Sequence, residues 1–89
     1  MTQETILKKQ IKDYLNLKGH FWWYNLAGIG AYKGLPDIFV LKDGKLIGIE
    51  AKSKNGKMSK YQQEFMKRLS DAGGIVVEAR TLENIMVYL

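Results

Sequence analysis

Between Gln3 and Leu17 the apolar positions Leu7, Ile11, Tyr14 and Leu15 recur at three-and-four spacing, which predicts a helix with one buried stripe and Gly19 as its stop. The aromatic run HFWWYNL that follows reads as a strand. Periodicity is lost across residues 27–35, where a glycine-containing connector is expected, unusually flexible for so small a chain. PDIFVLK and KLIGIEAKS alternate with period two on either side of Asp43-Gly44. That dipeptide suits a two-residue type I′ turn, because both central residues must take positive φ. Ser59 opens a second helix with Tyr61, Phe65, Leu69 and Ala72 on one side and Gly73-Gly74 as its end. IVVEA reads as a last strand, and a short helix is expected after Thr81. The order α-β-β-β-α-β-α, with the second helix as a crossover, predicts an α/β fold on a parallel or mixed sheet.

The Asp-Gly turn also sets a register. With Asp43 and Gly44 in the loop, Lys42 faces Lys45, Leu41 faces Leu46, Phe39 faces Gly48 and Asp37 faces Glu50. Directly opposed Cβ atoms lie about 4.5–5.5 Å apart, and like charges there are destabilising. Lys52, two residues beyond Glu50, projects from the same face. Two readings are open. In one, the face is solvated and the lysine offsets a strained pair of acids. In the other, the carboxylates hold a divalent cation whose preference for hard oxygen ligands fits Mg²⁺ or Mn²⁺. The second reading gains from Phe39, Leu41 and Leu46 on the same side, which a solvated face does not explain. Gly48, with no side chain, is expected to leave space for a ligand there. Ile38, Val40, Ile47, Ile49 and Ala51 make the opposite face apolar, so it must pack against a helix.

Composition narrows the chemistry. With 89 residues the chain has room for one domain, 1–89, with a thin core, so a homodimer is expected. Hydrophobic residues at 46% and charged residues at 26% exclude wholesale disorder. The absence of cysteine excludes disulfides and thiolate sites, and the single histidine, His20, excludes a multi-histidine centre. Any metal must therefore bind oxygen ligands. His20, at the helix exit, reads as a solvated cap and not as a general base. A formal charge of +5 favours a polyanionic partner, nucleic acid ahead of membrane. No apolar run reaches the roughly 18–20 residues of a membrane span, and MTQETILKKQ lacks the order of a signal peptide, so a cytoplasmic location is expected.

Other candidates each carry two readings. Glu4 heads the inward stripe of the first helix and so joins the acids, or it simply complements the helix dipole. Gln62 belongs to a site or completes an S-x-x-Q capping box with Ser59. Tyr32 and Lys33 reach a phosphate or a splayed base, or sit in an ordinary connector. Trp22 and Trp23 are adjacent in a strand and must point to opposite faces, one into the core and one over a helix or a dimer contact.

Glu4, Gly34-x-Pro36-Asp37, Glu50-Ala51-Lys52 and Met58-Ser59-x-x-Gln62 together resemble the PD-(D/E)XK nuclease superfamily and, within it, the VRR-NUC family in a minimal, stand-alone phage-type form. The match runs over nearly the whole chain. It implies a restriction-endonuclease-like core, a mixed β-sheet flanked by helices. It also implies a Mg²⁺- or Mn²⁺-dependent endonuclease, a phosphodiester hydrolase acting as a homodimer on branched DNA such as four-way (Holliday) junctions, in the host-cell cytoplasm if phage-encoded. By position, Asp37 and Glu50 would ligate the metal with the main-chain carbonyl of Ala51, and Glu4 would contribute directly or through water. Lys52 would orient or deprotonate the attacking water, with Gln62 beside it. Tyr32, Lys33, Lys54 and Lys60 are the expected DNA contacts. Ala51 departs from the larger β-branched residue common in the family, which leaves its carbonyl intact. Two other functions remain open: a catalytically idle DNA-binding module, and a nuclease of linear duplex.

Overall fold

The computed structural model describes residues 1–26 and 31–89. Helix α1 (Gln3–Leu17) starts at Thr2, whose hydroxyl accepts the Thr5 N–H, and buries Leu7, Ile11 and Leu15. Gly19, at φ +73°, turns the chain into β1 (Phe21–Tyr24). Strands β2 (Ile38–Lys42) and β3 (Lys45–Ala51) form the expected hairpin, with Asp43 and Gly44 at φ +52° and +77° as a type I′ turn demands. Helix α2 (Lys60–Asp71) then crosses over to β4 (Ile75–Ala79), and α3 (Glu83–Met86) follows.

The sheet order is β1-β2-β3-β4, antiparallel except for the parallel pair β3 and β4 that α2 connects, so the sheet is mixed. One face, carrying Ile38, Val40, Ile47, Ile49, Ala51, Val77 and Ala79, packs against Leu7, Ile11 and Leu15 of α1 and Ile85 of α3. Trp22 joins this side, its indole N–H bonded to Asn16 Oδ1 at 2.7 Å, while Trp23 turns to the other side against Phe39. The second face belongs to α2.

Two expectations about that second face need correction. The buried stripe of α2 is rotated from the predicted one: Met66 is its buried residue, flanked by half-buried Gln62, Phe65 and Leu69, while Tyr61 and Ala72 are exposed. Positions 62, 65, 66 and 69 are also three and four apart, and the predicted stripe omitted both the polar Gln62 and the apolar Met66. Nor does Gly48 leave a void. A Cβ there would lie 2.9 Å from Leu69 Cδ2 and 3.1 Å from Pro36 Cγ, so the glycine admits α2 and the β2 entry to the sheet surface. The 27–35 connector was expected to be flexible, but residues 27–30 lie outside the described chain.

Candidate functional site

The β2–β3 ladder pairs Lys42 with Lys45 and continues to Ile38 with Ile49; one step further, at the β2 entry, Asp37 meets the end of β3. Its Oδ2 accepts the Ala51 N–H at 2.8 Å, and its Oδ1 lies 3.4 Å from Lys8 Nζ of α1. Glu50, beside it, is only 2% exposed. Lys52 Nζ approaches Glu50 Oε1 to 3.8 Å, an ion pair too long for a hydrogen bond. Glu50 Oε2 is buried with no hydrogen-bond partner among the described residues. Burial, and after it the Asp37 carboxylate, push the Glu50 carboxyl up to about 8, against smaller opposing effects of Lys52 and Lys8.

Local sequence features hold this pair in place. Gly34 takes φ +81° with its Cα against the start of α2, where a Cβ would meet the Tyr61 carbonyl oxygen at 2.2 Å. The Pro36-Asp37 entry is fixed by Asn25, whose side-chain amide donates to the Pro36 carbonyl and whose N–H donates to the Asp37 carbonyl, both at 2.9 Å. The capping box at Ser59 is formed: Ser59 N–H donates to Gln62 Oε1 at 2.8 Å and Gln62 N–H to Ser59 Oγ at 3.1 Å. Gln62 thus serves the cap while also lining, with Asp37, Asn25, Tyr32, Lys33 and Tyr61, a groove of about 480 Å³.

Other predicted residues fall nearby or elsewhere. Glu4 is half-buried and its Oε1 accepts the Ser53 N–H at 3.4 Å, so it meets the chain just past Lys52. Among the described residues no group of three or more Asp, Glu, His or Cys side chains gathers in metal-binding geometry, so Glu4 does not complete a three-acid cluster here. Tyr32 and Lys33 dock on α2: the Tyr32 hydroxyl accepts from Arg68 at 2.9 Å, its ring meets Phe65 edge-on, and Lys33 Nζ sits 5.0 Å from the Tyr61 ring centroid. Lys54 lines a second groove of about 480 Å³ with Lys52 and Arg80, and Lys60 is exposed in the first turn of α2. His20 is no solvated cap. Its Nε2 lies 3.2 Å from the Leu89 carbonyl and the ring is half-buried.

Four contributors were not singled out by the sequence pattern. Lys8 follows Glu4 by one helical turn, so the signal was the same stripe extended by four. Asn25 lay at the end of a strand with no motif around it. Glu78 and Arg80 become neighbours of Glu50 and Lys52 only through the parallel register, in which Glu50 pairs with Glu78 and Ala51 with Ala79.

The donor set fits a hard divalent cation. It offers carboxylate oxygens of two neighbouring acids, and among the described residues one of these oxygens, Glu50 Oε2, is buried with no hydrogen-bond partner; the chain has no cysteine. The Ala51 N–H points toward β2, and extended backbone sends a residue's N–H and C=O to the same edge, so the Ala51 carbonyl shares the Asp37 side.

No protein-family model matches the sequence, and no curated protein matches it significantly. Solved structures do. One, described as "VRR_NUC domain", superposes with a TM-score of 0.82 at 23% identity, covering 100% of both chains. The chain has the fold of a VRR-NUC domain. A second, "VRR_NUC domain protein", gives a TM-score of 0.78 at 18% identity over 94% of this chain and 82% of the other. Among the described residues no helix is long and apolar enough to cross a membrane.

Proposed function

We propose that this chain is a metal-dependent endodeoxyribonuclease that hydrolyses phosphodiester bonds in branched DNA such as four-way junctions, working as a homodimer. The observation that carries the reading is the buried Glu50 oxygen beside Asp37 and Lys52, without a hydrogen-bond partner among the described residues, within a VRR-NUC fold. Ionising an acid kept out of water is costly, so the metal-free Glu50 carboxyl holds its proton up to about 8, and a bound cation would take the place of that proton. Asp37 and Glu50, with the Ala51 carbonyl and Glu4 through water, would hold Mg²⁺ or Mn²⁺. The ion supplies Lewis acidity toward a phosphoryl oxygen.

Lys52 presents its ammonium next to Glu50, where it would donate to the attacking water, orient it and stabilise the negative charge that develops on its oxygen. Gln62 has Oε1 engaged by Ser59 and keeps its amide NH₂ as a donor toward the Asp37 groove. The net charge of +5 supports a polyanionic substrate, and Tyr32, Lys33, Lys54 and Lys60 are the proposed DNA contacts. The homodimer is supported by exposed Phe21, Trp23 and Leu41 beside the open edge of β1.

Labelled four-way junction incubated with Mg²⁺ or Mn²⁺, with linear duplex in competition, tests the whole reading. Cleavage of the junction by the native protein and its loss by at least ~100-fold in Lys52→Ala are expected. Junction binding without cleavage, unchanged in the variant, would establish a DNA-binding module instead, and preference for the duplex would refute junction selectivity. Sedimentation of the free protein and its junction complex tests the dimer.

A further inference from the structure

The chain leaves the sheet at Lys52, whose N–H is the last to join β4, donating to the Ala79 carbonyl at 2.9 Å. A side chain at a strand end is only as well placed as the backbone beneath it, and exits of this kind fray unless their polar groups are held. Here they are held from three directions. The Ser53 N–H reaches Glu4 of α1, and the Ser53 carbonyl accepts both the Gly56 N–H at 3.1 Å and Arg80 Nη1. Arg80 Nη1 also reaches the Lys54 carbonyl at 3.4 Å, while Nη2 is fixed by Glu78 Oε1 at 3.1 Å. The Arg80 backbone is itself tied, its N–H donating to Asn84 Oδ1 at 2.9 Å. One planar guanidinium thereby joins an acid of β4 to two consecutive carbonyls beyond Lys52, a bridge that the single ammonium of lysine does not reproduce.

We propose that Arg80 is a positioning residue for Lys52: its guanidinium, braced by Glu78, fixes the Lys52–Lys54 turn and so aims the Lys52 ammonium at the Glu50 carboxylate. This rests on the nuclease reading. Arg80 also lines the groove that Lys52 and Lys54 border, so a direct contact with substrate phosphate is the alternative that the test must separate.

The test compares native protein, Arg80→Lys and Arg80→Gln for metal-dependent junction cleavage, with kcat and KM resolved, alongside thermal unfolding and amide hydrogen exchange. Turnover is expected to slow by ~10-fold or more in both variants while KM changes by less than about 3-fold, with no rescue by lysine. The Ser53 amide should exchange at least ~10-fold faster while core amides of β3 stay protected. A rise in KM that lysine restores would overturn the proposal in favour of phosphate binding. Native turnover per folded molecule with a lowered Tm would reduce Arg80 to a stabilising residue. Unchanged Ser53 exchange would remove the clamp itself. A native protein that cleaves nothing refutes the nuclease reading and with it the role in catalysis, whereas an active native protein with fully active variants refutes the positioning role alone.

Discussion

Replacing Glu50 with Gln should stabilise the metal-free protein at alkaline pH while abolishing cleavage. Glu50 is 2% exposed, one of its oxygens has no hydrogen-bond partner among the described residues, and burial together with Asp37 raises its carboxyl from 4.5 to about 8. Below about pH 4.5 the acid is protonated in both folded and unfolded chains and contributes no penalty. Between 4.5 and 8 the folded chain keeps a proton that the unfolded chain has released, so stability falls as pH rises, by about 1.4 kcal/mol per unit. Above 8 both states are ionised and the loss is complete, on the order of 3–5 kcal/mol for a group so placed. Glutamine has nearly the same shape and no charge to desolvate, so Glu50→Gln should be close to native stability at pH 5 and several kcal/mol more stable at pH 9. For a domain of this size about 1 kcal/mol corresponds to roughly 4–8 °C, so the difference in Tm at pH 9 should exceed about 10 °C. Thermal unfolding in chelator from pH 5 to 9 measures it, and Mn²⁺ should raise the Tm of the native protein and leave that of the variant in place. Parallel pH profiles for the two proteins would refute the reasoning.

Mn²⁺ binding to the native protein at pH 7 should release close to one proton from Glu50, declining toward zero by pH 9; calorimetry in buffers of differing ionisation enthalpy reads this, and a buffer-independent enthalpy at pH 7 would contradict it. Gly34→Ala should cost about 3 kcal/mol, because φ +81° and a carbonyl 2.2 Å from the new Cβ act together, whereas Gly44→Ala, at φ +77° with nothing within 4 Å, should cost only about 1 kcal/mol. Equal losses in urea unfolding would show that Gly34 is needed for its backbone angle alone. Inserting one residue after Gly44 should abolish cleavage as fully as Glu50→Ala does, since a one-residue slip exchanges the two faces of β2 against β3; retained activity would mean that the hairpin register does not place the acids.

Much of this fold was legible because its signals are local. The α1 stripe, the Asp43-Gly44 turn and the Ser59 cap each depend on a few adjacent residues, and the turn carried the register as far as Ile38 opposite Ile49, one step short of Asp37 and Glu50. Contacts between elements distant in sequence were not legible. Gly48 looked like empty space because nothing in a strand announces that Leu69, twenty-one positions on, will lie over it. Glu78 and Arg80 carried no local signal, and only the parallel pairing of β3 and β4 sets them beside Glu50 and Lys52. His20 had no local partner because its partner is the Leu89 carbonyl.

The site draws on every layer of a small chain, and the economy has a physical source. Helix α1 buries Leu7, Ile11 and Leu15 on one face of the sheet, yet its first turns overhang the sheet end, so Glu4 and Lys8, one turn apart, reach Ser53 and Asp37. From the other face the start of α2, pressed against Gly34, brings Gln62 to the same end. Asp37 has one oxygen on the Ala51 N–H and the other facing Lys8, so both of its oxygens are held by partners of this chain. Glu50 has no equivalent: Lys52 stands 3.8 Å from one oxygen, and among the described residues no hydrogen-bond partner meets the other. Two lysines against two acids would balance the formal charge, but distance and burial leave Glu50 uncompensated, and its raised carboxyl reflects that deficit. Asp37 is thus held by partners of this chain, while the buried Glu50 oxygen has none among the described residues, and it is there that the proposed cation would act.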